Sequence, residues 1–308
     1  MQIDLIGVPL DFGQGRRGVD MGPSAIRYGD LQHILQGLGH QVADLGNVPV
    51  PVRESCPPGD ATLKYMDPLV QVQSRLADRV AESMAGGRFP LVLGGDHSLS
   101  AGSVMGALRQ RRLGLIWLDA HGDFNTHETS LSGNIHGMPL AALCGHGAEP
   151  LVTLGGREAL GPKLRPENVA VVGVRDLDAD ERTLMRASGV HVYSMEAIDR
   201  LGIREVMRMA MEAACEGTDG LWLSLDLDVI DPTFAPGVGT AVMGGLTYRE
   251  AHLAVELIAE TGRLQGMDLV EVNPILDREN MTGRLAVELA ASALGKRIWD
   301  GAPGPVVS

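Results

Sequence analysis

Leu113-Gly114-Leu115-Ile116-Trp117-Leu118-Asp119-Ala120-His121-Gly122-Asp123 decides how the chain is read. The run up to Leu118 has no polar interruption, so both faces of a strand here are buried. Val169-Ala170-Val171-Val172-Gly173-Val174 and Leu221-Trp222-Leu223-Ser224-Leu225 read the same way. Near-continuous apolar strands belong to parallel sheets covered by helices on both sides. The stretches between them carry helical periodicity. Val72, Leu76, Val80 and Met84 recur every four residues, a stripe that should end at Gly86-Gly87 with Pro90 beyond. Residues 248–259 and 284–294 show the same pattern. No internal repeat, low-complexity tract or long linker breaks the 308 residues. The expectation is a single doubly wound α/β domain over 1–308, with a parallel sheet flanked by helices on both faces. Pro57-Pro58-Gly59 and 155–166 read as surface loops, and 301–308 as a frayed tail.

Composition narrows the class. Hydrophobic residues make up 44% and aromatics 4%, so the core is built from Leu, Val, Ile, Ala and Met. A formal charge of −13 argues against nucleic acid and anionic membrane as partners, since both need a basic footprint. It mildly favours a cationic small molecule, although solubility is the plainer reason for it. Cys56, Cys144 and Cys215 are widely spaced and form no C-x-x-C pair, which suits a reducing compartment. Met1-Gln2-Ile3-Asp4-Leu5 enters a strand-like run with no targeting pattern, and no apolar segment nears the ~20 residues that span a bilayer. A cytoplasmic location is expected.

Ligands of doubly wound folds sit at the carboxyl ends of the strands. Three polar clusters stand there: Gly94-Gly95-Asp96-His97-Ser98, Asp119-Ala120-His121-Gly122-Asp123 and Asp226-Leu227-Asp228. Residues i and i+2 of a strand share a face, so Asp119 pairs with His121 and Asp226 with Asp228. Asp123 can turn back over the same spot, and His97 arrives from a third strand end. Any one of these motifs alone is usually a solvated loop or a cap. Together they gather four carboxylates and two imidazoles, which repel or take up protons unless cations neutralise them. Two divalent ions fit. Oxygen-rich ligation with two His and no Cys favours Mn²⁺, with Co²⁺, Ni²⁺ and Fe²⁺ as substitutes.

At these residues the chain resembles the arginase branch of the ureohydrolase family, of bacterial type. The likeness includes 18–27 (GVDMGPSAIR), the Gly-Gly-Asp-His-Ser and Asp-Ala-His-Gly-Asp clusters, and Asn125-Thr126. It continues through 132–139 (SGNIHGMP), 224–228 (SLDLD), 244–250 (GGLTYRE) and 271–274 (EVNP). Nearly the whole chain is covered, in order. The resemblance implies a central parallel sheet of about eight strands, of the type arginases share with deacetylases. It implies two Mn²⁺ per subunit, one held by His97, Asp119, Asp123 and Asp226, the other by Asp119, His121, Asp226 and Asp228. A hydroxide between them would attack the guanidinium carbon of L-arginine, giving urea and ornithine. Asp123 would pass a proton to the departing nitrogen, His136 would shuttle protons, and Glu271 would pair with the guanidinium. An imidazole titrating near 6.5 suits a shuttle. By residue type alone, Glu271 reads as an ordinary strand-end ion pair and His136 as a loop histidine.

Substrate choice turns on what lies beyond the guanidinium. The resemblance places Asn125, Ser132 and Asn134 at an α-carboxylate, Asp178 and Glu181 near an α-amine, and Thr240 on the substrate side. Taken singly, Ser132 and Asn134 are ordinary turn residues of a glycine-rich loop. Ala241 departs from the family, which usually has Pro there, and 144–166 matches nothing that can be placed. His33, His40, His127, His146, His191 and His252 read as surface or core residues. The rivals are an agmatinase or other guanidino-acid ureohydrolase, a mononuclear zinc deacetylase of the same fold, and a silent homologue. The full ligand set speaks against the last two. A homo-oligomer, trimeric or hexameric, is expected by resemblance alone.

Overall fold

Alternate residues of each apolar run face opposite sides of the sheet, and helices cover both. In the computed structural model, which describes residues 1–154 and 164–299, eight strands form one sheet. They are β1 (Gln2–Val8), β2 (Gln41–Asn47), β3 (Phe89–Gly94), β4 (Leu113–Leu118), β5 (Val169–Val174), β6 (His191–Ser194), β7 (Gly220–Asp226) and β8 (Leu264–Val270). Their spatial order is β2-β1-β3-β8-β7-β4-β5-β6, with every neighbouring pair parallel. This is the expected α/β class. The runs 113–118 and 169–174 are strands over the bounds read from sequence. The loop expected at 155–166 falls mostly, and the tail 301–308 wholly, outside the described residues.

One face presents Leu91, Leu93, Ile116, Leu118, Leu223 and Leu225 to helices that include Ile203–Cys215, Tyr248–Glu260 and Met281–Ala293. The other presents Val92, Leu115, Trp117 and Trp222 to Met66–Ala85 and Ser100–Leu108. The stripe of Val72, Leu76, Val80 and Met84 is buried in that second layer. Its helix stops at Ala85, where the chain turns through Gly86 and Gly87. Among the described residues no helix is long and apolar enough to cross a membrane.

β3, β8, β7 and β4 are the four adjacent central strands. Their carboxyl ends deliver His97, Glu271, Asp226 and Asp119 to one side of the sheet. The turn after β3 is laced to the end of β1 by Gly95 N–H donating to Val8 O (3.1 Å) and Asp96 N–H to Leu10 O (2.8 Å). This close approach excludes a side chain at 95, since a Cβ would sit 2.2 Å from the Leu10 carbonyl oxygen and 2.6 Å from its nitrogen. Gly95→Ala is therefore expected to cost about 1–3 kcal/mol, because backbone must move. Thermal unfolding of the metal-free protein checks this, and an unchanged midpoint would contradict it.

Candidate active site

The i, i+2 pairs do come together, but not through the pleat of a strand. β4 ends at Leu118, before Asp119, and Asp228 lies in a short 3-10 turn (Leu227–Val229). Each cluster is instead an aspartate-anchored turn. Asp119 Oδ1 accepts His121 N–H (2.7 Å), Asp226 Oδ1 accepts Asp228 N–H (2.8 Å) and Asp96 Oδ1 accepts Ser98 N–H (3.1 Å). Short polar side chains favour such turns. In Asp119 and Asp226 the second carboxylate oxygen then faces His97.

His97 Nδ1 has Asp123 Oδ2 at 3.0 Å, and Asp119 Oδ2 and Asp226 Oδ2 at 3.1 Å. His121 Nδ1 lies 3.1 Å from Asp228 Oδ2 and 3.4 Å from Asp119 Oδ1. His97 Nδ1 and Asp123 Oδ2 are buried with no hydrogen-bond partner. With metal–ligand bonds of about 2.1 Å, adjacent corners of an octahedron stand about 3.0 Å apart. The spacings are those of ligands around a shared ion. Two compact groups result, His97 with Asp119 and Asp226, and Asp119 with His121 and Asp228, each within 4.8 Å. They share Asp119, and Asp226 falls in the first group only.

The electrostatics agree. Burial alone would keep His97 neutral, yet the charge of Asp123 and contacts with Asp119 and Asp226 raise its pKa well above the ordinary value. Burial, with the charges of Asp228 and Asp119, pushes Asp226 well up. Burial and Asp119 raise Asp123 to about 6. A cluster that draws protons this strongly has negative charge to spare for cations.

The outer nitrogen of His97 is also held. Nε2 lies 2.8 Å from Ser224 Oγ, and the ring stacks on Trp117 at 4.0 Å between centroids. Ser224 donates to Asp268 Oδ1 (2.5 Å), which also accepts from Ser100 (3.0 Å). Asp268 Oδ2 accepts from Ser103 (2.6 Å) and Trp222 Nε1 (2.8 Å). A carboxylate only accepts, so the single protons of Ser100 and Ser224 are both spent on it. Ser224 can then only accept from His97. Nε2 therefore carries a ring proton in either charge state, and Nδ1 is the atom turned to the carboxylates, where a metal ion would take the place of a proton.

Above these groups opens a cavity of about 310 Å³. Its lining includes His121, Asp123, Asn125, Ser132, Asn134, His136, Asp178, Glu181, Asp226 and Thr240, all singled out from sequence. Asp176, Ser130 and Leu131 also line it and were not anticipated. Asn125 Nδ2 donates to Asp178 Oδ2 (3.1 Å), which ties the two walls. Thr240 Oγ1 donates to Asp228 Oδ2 (3.0 Å). Glu181 is the third residue of helix Ala179–Ser188 and forms a capping box with Asp178. Its Oε1 accepts Phe124 N–H (2.9 Å), and burial, reinforced by the charge of Asp123, raises it to about 7.

Glu271 is not among the lining side chains. It is 1% exposed, and its φ of 67° is strained for a non-glycine residue. Oε1 accepts His97 N–H (2.9 Å), Oε2 accepts Gln14 Nε2 (2.8 Å), and His136 Nδ1 stands 3.5 Å from Oε1. Burial works against its charge, but His136 keeps the carboxyl below its ordinary value. Sequence reading did not single out Gln14, and it gave Asp96, Ser224 and Asp268 no role of their own. The last two did leave a signal, as polar residues inside apolar runs.

Comparison with known proteins agrees with this geometry. The Arginase family model matches residues 1–295. The chain is 49% identical to the arginase of Bacillus caldovelox over 298 residues, covering 96% of this chain and 99% of that one. It is 50% identical to the arginase of Bacillus subtilis strain 168 over 299 residues, covering 96% and 98%. The solved Bacillus caldovelox arginase superposes with a TM-score of 0.93 at 49% identity, covering 96% and 99%. An Entamoeba histolytica arginase solved with L-ornithine gives 0.86 at 28% identity, covering 96% and 99%.

Proposed function

The chain belongs to the arginase family, and from that premise we propose how its site works. It is a metal-dependent hydrolase that cleaves L-arginine to L-ornithine and urea. The observation that carries the reading is the pair of ligand groups sharing Asp119 beside a cavity walled by both Ser132 and Asp178. His97, Asp119, Asp123 and Asp226 would hold one ion, and Asp119, His121 and Asp228 the other, with Asp226 as a further ligand of the second by resemblance to the family. Two Mn²⁺ suit this oxygen-rich set, with Co²⁺, Ni²⁺ or Fe²⁺ as substitutes. Such a pair, when bound, supplies Lewis acidity and activates water at neutral pH.

The remaining roles belong to the chain's own atoms. Water adds to the guanidinium carbon, the carbon–nitrogen bond to the ornithine side breaks, and that nitrogen needs a proton. Asp123 takes up the proton that the water gives up and delivers it to that nitrogen. His136 lines the cavity with Nδ1 turned to Glu271, so Nε2 exchanges protons with solvent. Burial opposes its protonation, yet Glu271 raises its pKa, which suits a carrier that must hold a proton near neutrality. Glu271 provides a fixed anion for the guanidinium. Asn125, Ser132 and Asn134 receive the α-carboxylate, Asp178 and Glu181 the α-amine, and Thr240 steadies Asp228. Three free cysteines fit a cytoplasmic, reducing home, and the family suggests a trimer or hexamer.

Urea release from L-arginine, agmatine and guanidinobutyrate after Mn²⁺ incubation tests the reading. We expect arginine to lead by about 100-fold or more in kcat/KM, because a site built to bond a group rejects analogues that lack it. Faster turnover of agmatine would overturn the substrate and leave the chemistry standing.

A further inference from the structure

The cavity poses a charge problem. Its lining carries Asp123, Asp176, Asp178, Glu181 and Asp226 and, among the described residues, no lysine or arginine. A substrate with an α-carboxylate must place an anion in that acidic wall, which like charges disfavour. The solution lies behind the loop that bears Ser132 and Asn134. Lys64 Nζ donates to the Ser132 carbonyl oxygen at 2.7 Å and lies 3.4 Å from Asn134 Oδ1. Its backbone N–H donates to the Gly133 carbonyl (3.2 Å). Gly133 is required for this contact, since its φ is +67° and a Cβ there would lie 1.9 Å from the Ala61 carbonyl oxygen.

The consequence for Asn134 follows from donor counting. An ammonium has three donors and no acceptor, so the amide must turn its oxygen to Lys64 and keep its two donors for elsewhere. Asn134 Nδ2 makes no hydrogen bond among the described residues. Ser132 Oγ accepts Asn134 N–H (3.2 Å), and its own proton has no acceptor among them. Two cavity-lining residues thus have uncommitted donors, with a positive charge directly behind them.

We propose that Lys64 is a specificity-determining positioning residue: it turns the Ser132–Asn134 rim into a receptor for an α-carboxylate and so selects L-arginine over agmatine. This rests on L-arginine being the substrate, which the wild-type comparison settles separately. Touching neither the guanidinium nor the metal ligands, Lys64 acts on the carboxylate end alone.

The test uses the full-length, Mn²⁺-loaded enzyme and its Lys64→Met and Lys64→Arg variants. KM and kcat are measured for arginine, and KM, or the inhibition constant where turnover is too slow, for agmatine. Lys64→Met should raise the arginine KM about 10-fold or more, the scale of a lost hydrogen bond to a charged group, and leave the agmatine constant within about twofold. Lys64→Arg, which keeps charge and donors, should restore most of the discrimination. If Lys64→Met folds poorly, Lys64→Gln keeps a donor without charge on a side chain one atom shorter and should still weaken arginine selectively. Equal weakening of both ligands, or an unchanged arginine KM in a folded variant, would overturn the proposal and reduce Lys64 to a tie between two loops.

Discussion

Asp226→Asn is expected to lower urea release from L-arginine by about 10³-fold or more, while the metal-free protein becomes no less stable. The activity loss follows from charge. Asp226 supplies one of the oxygens around the first ligand group, and losing a ligand forfeits several kcal/mol of transition-state stabilisation. Stability moves the other way. Burial and the charges of Asp228 and Asp119 raise the Asp226 carboxyl, so it costs the metal-free fold increasingly as pH climbs above the unfolded value. An amide carries no such cost, and its oxygen can still accept Asp228 N–H. A parallel fall in activity and metal-free melting temperature would mean that Asp226 holds the fold together instead.

Asp268→Asn should cut metal affinity about 10–100-fold although Asp268 touches no ligand, the range found when an outer partner is lost. Its four donors fix the Ser224 proton and, through it, the His97 proton on Nε2. An amide at 268 can donate to Ser224, which frees the serine proton for His97 and moves the ring proton to Nδ1, the metal-facing atom. Titration calorimetry of the metal-free variant with Mn²⁺ reads this directly. Affinity equal to wild type would show that the serine and aspartate only fill space.

Much of this was legible because the chain is locally consistent. The central strands announce themselves as apolar runs, and β3, β4 and β7 each run into one of the three polar clusters that the fold brings together. The edge strands did not. β2 is largely exposed and carries Asp44, which pairs with Arg27 (2.7 Å), and β6 is four residues long. Neither has the buried run that marks a central strand, since an edge has only one neighbour and tolerates charge. Within the site, Asp119, His121, Asp226 and Asp228 were found by a spacing rule whose cause is turn geometry rather than strand pleat. Lys64 and Gln14 left no signal, because their partners Ser132, Asn134 and Glu271 lie 68, 70 and 257 residues away.

The central claim is that six side chains from three strand ends hold a pair of ions. Metal content after Mn²⁺ loading and removal of free ion measures it most directly. Two Mn²⁺ per folded chain, falling in Asp226→Asn and in His121→Ala, is the predicted result. A single ion per wild-type chain, or two that survive both substitutions, would contradict it.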